Sequence, residues 1–535
     1  MPPYCVLYFY ISIKKNLITN CKFNFLKMTE DYDLVEPHAA IMIESLRAFG
    51  YDLRTAIADL IDNSITAGAE NIWLDFHWNE TESYIRVTDD GAGMNEQNLV
   101  EAMRPGSKNP LDSREDTDLG RFGLGMKTAS FSQCKRMTVA SRPPNGSLSV
   151  RRWDLDFVAK EDKWSLLKTP APGSEQYFDK LNRIEHGTTV LWEVLDRVVG
   201  NISVNDNKAS SQFYRNVKIV QNYLSMVFHR YMEGGKQQLK IFLNGDDEAH
   251  RIVPWDPFSE NSSAIIDFPE ESIPYAGGQV KIKGFVLPHK DKISEKEYLE
   301  LAGTEGWPAQ QGFYIYRNKR LLLYGSWLGL GDNVAWTKEE QFKLARIRID
   351  IPNSQDIDWQ IDVKKSTARP PLAIRERLRD LAKKVRDQAR NVFAYRGTYG
   401  SRITKLPLRR AWYSVYYKGS HSYKIDRKHP LVKQVLDLDT NYKPLIEAML
   451  ITLEETVPIQ QIWLDSAERS DESSKPFVDA DQTKIERVIE LTYRALHDKE
   501  GFSIEATKQY LKSMDAFIDY PDVVEKVVSN LGESI

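Results

Sequence analysis

Apolar positions in the N-terminal part of the chain recur with two periods. In IMIESLRAF and RTAIADLIDNSITAGA they fall three and four residues apart, which predicts two helices between Pro37 and about Ala69. Gly68 is placed to end the second of them. NIWLDFHW and YIRVTDD alternate instead, and read as strands with Ile72, Leu74 and Phe76 on one face. DGAGM is a turn and NEQNLVEAM a short helix. Residues 104–126 have no period and are rich in glycine and charge, as in a long loop that is either a functional lid or disordered. RMTVASR, LSVRRWDLD and TTVLWEVL read as further strands, so one helix-flanked mixed sheet is the simplest architecture up to about residue 200.

A second α/β region is expected from about 210 to 370, with KIFLNG, VKIKGFVL, GFYIYRNKRLLLY and ARIRIDI as its strands. IRERLRDLAKKVRDQARNVF is a long amphipathic helix leaving it. Past Thr398 a basic, aromatic stretch, KLPLRRAWYSVYYKGSHSYKIDRKHPL, precedes helical patterns such as YKPLIEAMLITLEET and TKIERVIELTYRALHDK. SAERSDESSKPFVDADQ is a polar linker between those helices. No internal repeat is evident.

Composition narrows the class without naming a function. The 535 residues are 41% hydrophobic and 28% charged, the profile of a soluble chain of several domains. A net charge of −4 exerts no overall pull toward nucleic acid, so any such contact must be local. Cys5, Cys21 and Cys134 lack metal-ligand spacing and fit a reducing cytoplasm. No apolar run has the length of a membrane span. The first 27 residues are apolar and then basic, the reverse of a signal peptide, and contrast with the acidic MTEDYDLVEPH beginning at Met28. They read as a non-native or disordered extension, with an N-terminal arm that packs on a partner subunit as the rival reading.

Four short segments carry candidate chemistry. On the second helix Asp59 and Asn63 are four residues apart and share a face, with Asp62 and Thr66 beside them. This is either a solvated stripe or a carboxylate and an amide aimed into a polar pocket, where the amide oxygen can hold Mg²⁺. TDDGAGM sets a carboxylate at a strand end, followed by glycines that let a ligand approach the backbone. In LGRFGLGMKTAS, glycines 120, 123 and 125 can expose successive N–H groups just before a helix, an arrangement suited to phosphates, with Lys127 placed to reach the terminal one. HGTTVLWE is a strand bearing Thr188 and Thr189. A Walker-type phosphate loop is excluded because no GxxxxGK[ST] occurs, and the glycine spacing is wrong for a dinucleotide fold.

Taken in order, DLIDNSITAGA, DDGAGM, LGRFGLGMKTAS and GTTV resemble the four motifs of GHKL ATPases. The first is similar to ELVENSLDAGA of MutL-type proteins and the third to the GxYGxGxK form of MORC proteins. The resemblance implies an α+β fold. A Bergerat (GHKL) α/β sandwich at 28–205 would be followed by a transducer-like α/β domain at 206–395 and a mostly helical region at 396–535. It implies ATP and Mg²⁺ as cofactors, with Asn63 binding Mg²⁺, Asp89 recognising the adenine amino group, and Gly91, Gly93, Met94 and Thr188 lining the base pocket. Gly120, Arg121, Phe122, Gly123, Leu124, Gly125 and Lys127 would form the lid over the phosphates. Asp59 stands where the family usually has glutamate, the base that activates water; one methylene shorter, it must sit closer or act through a second water. Thr66 likewise replaces an aspartate. Lys364 or Lys365, in DWQIDVKKSTARPP, falls where a transducer lysine would return to the γ-phosphate; the other reading is a solvated pair before a Pro-Pro stop.

The implied activity is a slow ATPase working as an ATP-gated homodimeric clamp in the cytoplasm. It would act on DNA or in a bacterial defence or restriction-associated complex with nuclease, helicase or methylase partners. A chaperone acting on client proteins is the alternative. A sensor kinase is disfavoured, since His38 follows Pro37 and lacks a two-helix hairpin, and no nuclease or topoisomerase metal pattern is present. Lys405, Arg409, Arg410, Lys418, Lys424, Arg427 and Lys428, interleaved with Trp412, Tyr413, Tyr416, Tyr417 and Tyr423, form either a nucleic-acid contact or a structural strand pair.

Overall fold

The computed structural model describes residues 33, 37–48, 50–106, 125–199, 207–234, 238–260, 262, 264–356, 358–362, 367–394, 408–417, 420–438, 441–468, 476–477 and 480–532. The expectations for residues 1–27, for Gly120, Arg121, Phe122, Gly123 and Leu124, for Lys364 and Lys365, and for Lys405 and Lys418 lie outside the described residues.

Two helices open the fold, α1 (Ala39–Arg47) and α2 (Leu53–Thr66). Asp52 starts α2 by accepting the Thr55 N–H at 2.8 Å, a cap worth about 1 kcal/mol. The helix ends at Gly68, whose φ of +75° suits a residue without Cβ. There the Gly68 N–H donates to the Ile65 carbonyl at 2.9 Å and the Ala69 N–H to that of Ser64 at 3.0 Å, the paired bonds of a Schellman motif. Ala56, Ile57, Leu60 and Ile61 form its buried face.

That face lies on a six-stranded sheet of β1 (Asn71–His77), β2 (Tyr84–Asp89), β3 (Arg136–Arg142), β4 (Ser149–Asp154), β5 (Gly187–Glu193) and β6 (Lys240–Leu243), ordered β4-β3-β5-β2-β1-β6. Ile72, Leu74 and Phe76 alternate inward along β1, as its period predicts. α3 (Glu96–Met103) follows the DGAGM turn, and α4 (Gly125–Phe131) follows the glycine-rich loop and packs on α2.

The sheet recruits more chain than the 28–205 boundary allows. β6, expected in the second region, runs parallel to β1 and buries Ile241 and Phe242, while α5 (Asn207–Val227) packs on α2. A four-residue strand carries no signal for the sheet it joins; available edge hydrogen bonds and apolar cover decide that.

The second sheet comprises β7 (Ile266–Asp267), β8 (Glu271–Tyr275), β9 (Gly278–Val286), β10 (Gly312–Arg317), β11 (Arg320–Ser326) and β12 (Ala345–Ile351). Its order is β11-β10-β12-β9-β7, with β8 also on β9. GFYIYRNKRLLLY is thus two strands joined by Asn318 and Lys319, both at positive φ, a conformation that suits the twist of a tight hairpin. α6 (Leu372–Ala394) covers β9 and β12. Phe258, Phe285, Tyr314, Tyr316 and Leu321 share one apolar cluster with Leu60, Leu224 and Phe228, so the core is continuous between the two sheets.

The remainder is a hairpin, β13 (Trp412–Tyr417) with β14 (Ser420–Ile425), followed by helices including α7 (Lys443–Glu455), α8 (Ile459–Glu468), α9 (Gln482–Arg494), α10 (Ile504–Ser513) and α11 (Pro521–Gly532). The last three close a small core of their own around Ile489, Tyr493, Leu511 and Phe517. The protein is therefore α+β, with an α/β sandwich, a second α/β unit and a mostly helical C-terminal region. No helix among the described residues is long and apolar enough to cross a membrane.

Candidate nucleotide site

Asp89 ends β2 and is buried beneath α2. Its Oδ2 accepts the Ser64 hydroxyl at 2.7 Å, and its Oδ1 accepts the N–H groups of Gly91 at 3.0 Å and Thr188 at 3.3 Å. All three donors are neutral. Burial outweighs them and pushes the carboxyl up to about 6. A buried carboxylate held this way still has lone pairs for an exocyclic amine.

The pocket continues as a chain of hydroxyls. Thr188 and Ser141 face each other across β5 and β3, with their Oγ atoms 2.9 Å apart, and Ser141 Oγ accepts the Met94 N–H at 2.8 Å. Gly93 has a φ of +61°, and a Cβ there would lie 2.0 Å from the Arg142 carbonyl oxygen, so only glycine allows this approach. Asp90, the other acid of the motif, is a clasp: it accepts both the Glu70 and Asn71 N–H groups.

On α2, Asp59 is buried and Asn63, one turn on, is exposed. Asp59 Oδ2 accepts the Tyr51 hydroxyl at 3.0 Å. Burial raises the tyrosine pKa most, then the charge of Asp59, with a smaller push from Asp362. Tyr51 therefore stays a donor and orients the carboxylate. A Cβ on Gly125 would lie 3.3 Å from Asp59 Oδ2, so the start of α4 closes over the same carboxylate. Among the described residues no group of three or more His, Cys, Asp or Glu could hold a metal. Asn63 offers one exposed amide oxygen, a donor of the kind Mg²⁺ takes alongside phosphates and water.

Two other expected residues have definite places. Lys127 is buried and its ammonium donates to the Ala102 carbonyl at 2.9 Å, tying α4 to the end of α3 across the glycine-rich loop. In this conformation it braces the two ends of the glycine-rich loop. Thr66 Oγ1 bonds back to the Asp62 carbonyl at 2.8 Å within its own helix. Asp362, just before Lys364, accepts the Thr367 N–H at 2.9 Å and stands near enough to Tyr51 to act on it.

Sequence reasoning missed Tyr51, Ser64, Ser141 and Arg320. Ser64 directly follows Asn63 and could have been read from the motif. Ser141 depends on the β3–β5 register. Arg320, 258 positions from Asp62, whose carboxylate it meets, has no local signal at all.

A carboxylate under a helix, glycines at a close backbone approach and an amide at the pocket mouth define a Bergerat-type ATP-binding fold. Residues 51–188 match the family of histidine kinase-, DNA gyrase B- and HSP90-like ATPases. The chain thus carries a GHKL ATPase domain, similar to those of MutL and MORC proteins. DNA mismatch repair protein MutL of Actinobacillus pleuropneumoniae is 32% identical over 92 residues, 17% of this chain and 14% of the relative. ATPase morc-1 of Caenorhabditis elegans is 27% identical over 88 residues, 16% of this chain and 10% of the relative. MutL of Pseudothermotoga lettingae is 28% identical over 139 residues, 26% of this chain and 22% of the relative. The likeness thus spans less than a quarter of each of these relatives' own length.

Proposed function

We propose that this chain binds ATP with Mg²⁺ between α2 and strands β2 and β5, and hydrolyses it slowly to ADP and phosphate. The observation that carries this reading is the buried Asp89, held by neutral donors only, one layer below a helix that presents Asp59 and Asn63. Asp89 and Thr188 would hold the base, and Asn63 would hold the metal, which neutralises phosphate charge when bound. Asp59, oriented by Tyr51, would take a proton from the attacking water. Gly120 to Lys127 would close over the phosphates, and Lys364 or Lys365 would approach from the second sheet.

Turnover would drive an ATP-gated homodimeric clamp. DNA is the first target to test, since two relatives of the chain are named as DNA mismatch repair proteins. Membership of a bacterial defence or restriction-associated complex belongs to the same proposal. Sedimentation with Mg²⁺ and a non-hydrolysable ATP analogue should give a dimer, and ADP should give a monomer. A monomer at tens of micromolar in both conditions removes the clamp. ATP turnover measured with and without duplex DNA, and with and without an unfolded client protein, separates a DNA clamp from a chaperone.

A further inference from the structure

α2 carries the proposed base and metal ligand on one side and meets the second sheet on another. Besides apolar packing, the contact there includes a buried ion pair. Arg320, the first residue of β11, is 2% exposed, and its Nε donates to Asp62 Oδ1 at 2.9 Å. Its guanidinium lies 4.5 Å from the centre of the Phe228 ring and also bonds the Leu321 carbonyl. The turn that delivers it is pinned in turn: the Tyr231 hydroxyl donates to the Asn318 carbonyl, and Arg317, paired with Arg320 across the hairpin, holds buried Asp356. Asp62 sits one residue before Asn63 and one turn after Asp59. A second link, Arg54 to Glu305 at 3.5 Å, is half-exposed and correspondingly weak.

We propose that Arg320 is a positioning residue, which ties the rotational setting of α2, and with it Asp59 and Asn63, to the orientation of the second sheet, so that hydrolysis requires the two to be docked. The proposal rests on the ATPase reading above. A buried planar guanidinium bonded to a carboxylate fixes direction as well as distance, and aromatic packing holds its plane. Displacing α2 by a fraction of a turn would move the base relative to the water, while Asp89 keeps the N–H groups of Gly91 and Thr188, which do not belong to α2.

The test uses the full chain, measuring Mg-ATP affinity by calorimetry, steady-state turnover and the melting temperature. Arg320→Met should lower kcat by ~10-fold or more with KM and affinity within ~3-fold, the signature of misplaced chemistry over intact binding. Arg320→Lys, which keeps the charge but not the fork, should recover part of the loss. Asp62→Asn keeps the volume and an acceptor for Arg320, and should lower kcat by ~3-fold at unchanged KM; it serves if the methionine variant does not fold. Wild-type kcat in a folded Arg320→Met variant overturns the proposal. So do affinity and kcat falling together in both Arg320→Met and Asp62→Asn, which would make the pair a brace of the fold alone. An inactive wild-type chain would instead overturn the ATPase reading itself, and this inference with it.

Discussion

The nucleotide pocket and the basic C-terminal hairpin look equally chemical in the sequence, and the fold treats them in opposite ways. In the pocket, Asp89 is buried with neutral donors only, so its charge is held ready at the expense of a pKa raised to about 6. In the hairpin, the cations are met by acids, three of them from the helical part of the C-terminal region and one, Asp426, from the end of the hairpin itself. Arg410 pairs with Asp515 at 2.9 Å, Arg427 with Glu454 at 2.6 Å, Lys424 with Glu455 at 2.5 Å and Arg409 with Asp426 at 3.5 Å. Among the described residues Lys428 has no acidic partner. Trp412 and Tyr413 remain 41% and 52% exposed, but rings without net positive charge around them make a weak handle on phosphate. Charge left uncompensated in a pocket points to a ligand; charge compensated on a surface points to structure. The structural reading of the hairpin is therefore favoured.

The comparison breaks most sharply at Asp59. Asp59→Asn should lose ~10²-fold or more in turnover and keep ATP affinity, read by single-turnover hydrolysis alongside equilibrium binding. Equal turnover in variant and wild type would remove Asp59 from the chemistry.

Asp89→Asn should do the reverse and weaken ATP binding by ~10-fold or more, because an amide cannot accept on both edges. In wild type, affinity should fall as pH drops through about 6, where the carboxylate that accepts the base becomes protonated, and this step should vanish in the variant. Stability should move the other way. The folded pKa lies above the unfolded value of 3.8, so the stability linked to this group is fully present below about pH 4 and lost as pH rises through about 6. Without nucleotide, Asp89→Asn should gain up to ~2–3 kcal/mol over wild type at pH 7–8 and nothing at pH 4, measured by urea unfolding. A pH-independent difference would mean that Asp89 carries no buried charge.

Gly93→Ala should destabilise the nucleotide domain by ~1–3 kcal/mol, since the methyl would strike the Arg142 carbonyl and the backbone is left-handed there. A melting temperature equal to wild type would show that the turn is free to relax.

The smallest effect is expected in the hairpin. Arg409→Glu with Arg410→Glu should leave ATP turnover unchanged and shift DNA affinity by less than ~3-fold, with the same salt slope, because both cations are already neutralised. A loss of one unit of salt slope per arginine would return the hairpin to the nucleic-acid surface.

Much of the site was legible because its demands are local. The three-and-four spacing that makes α2 amphipathic also puts Asp59 and Asn63 on one face; Gly68 and Gly93 are required by backbone torsions; and alternation along β1 and β2 delivers Asp89 to the strand end. These follow from the geometry of a few consecutive residues. The tertiary structure alone decided which sheet took β6, that Ser141 would stand opposite Thr188, that Arg320 would reach Asp62, and that the cations of the hairpin would find Asp515 and Glu454. Each of these pairings joins groups from separate elements, chosen by competition among edge hydrogen bonds, apolar cover and the expense of burying a charge without a partner. That competition takes place only once the whole chain is packed, so no window of the sequence contains its result.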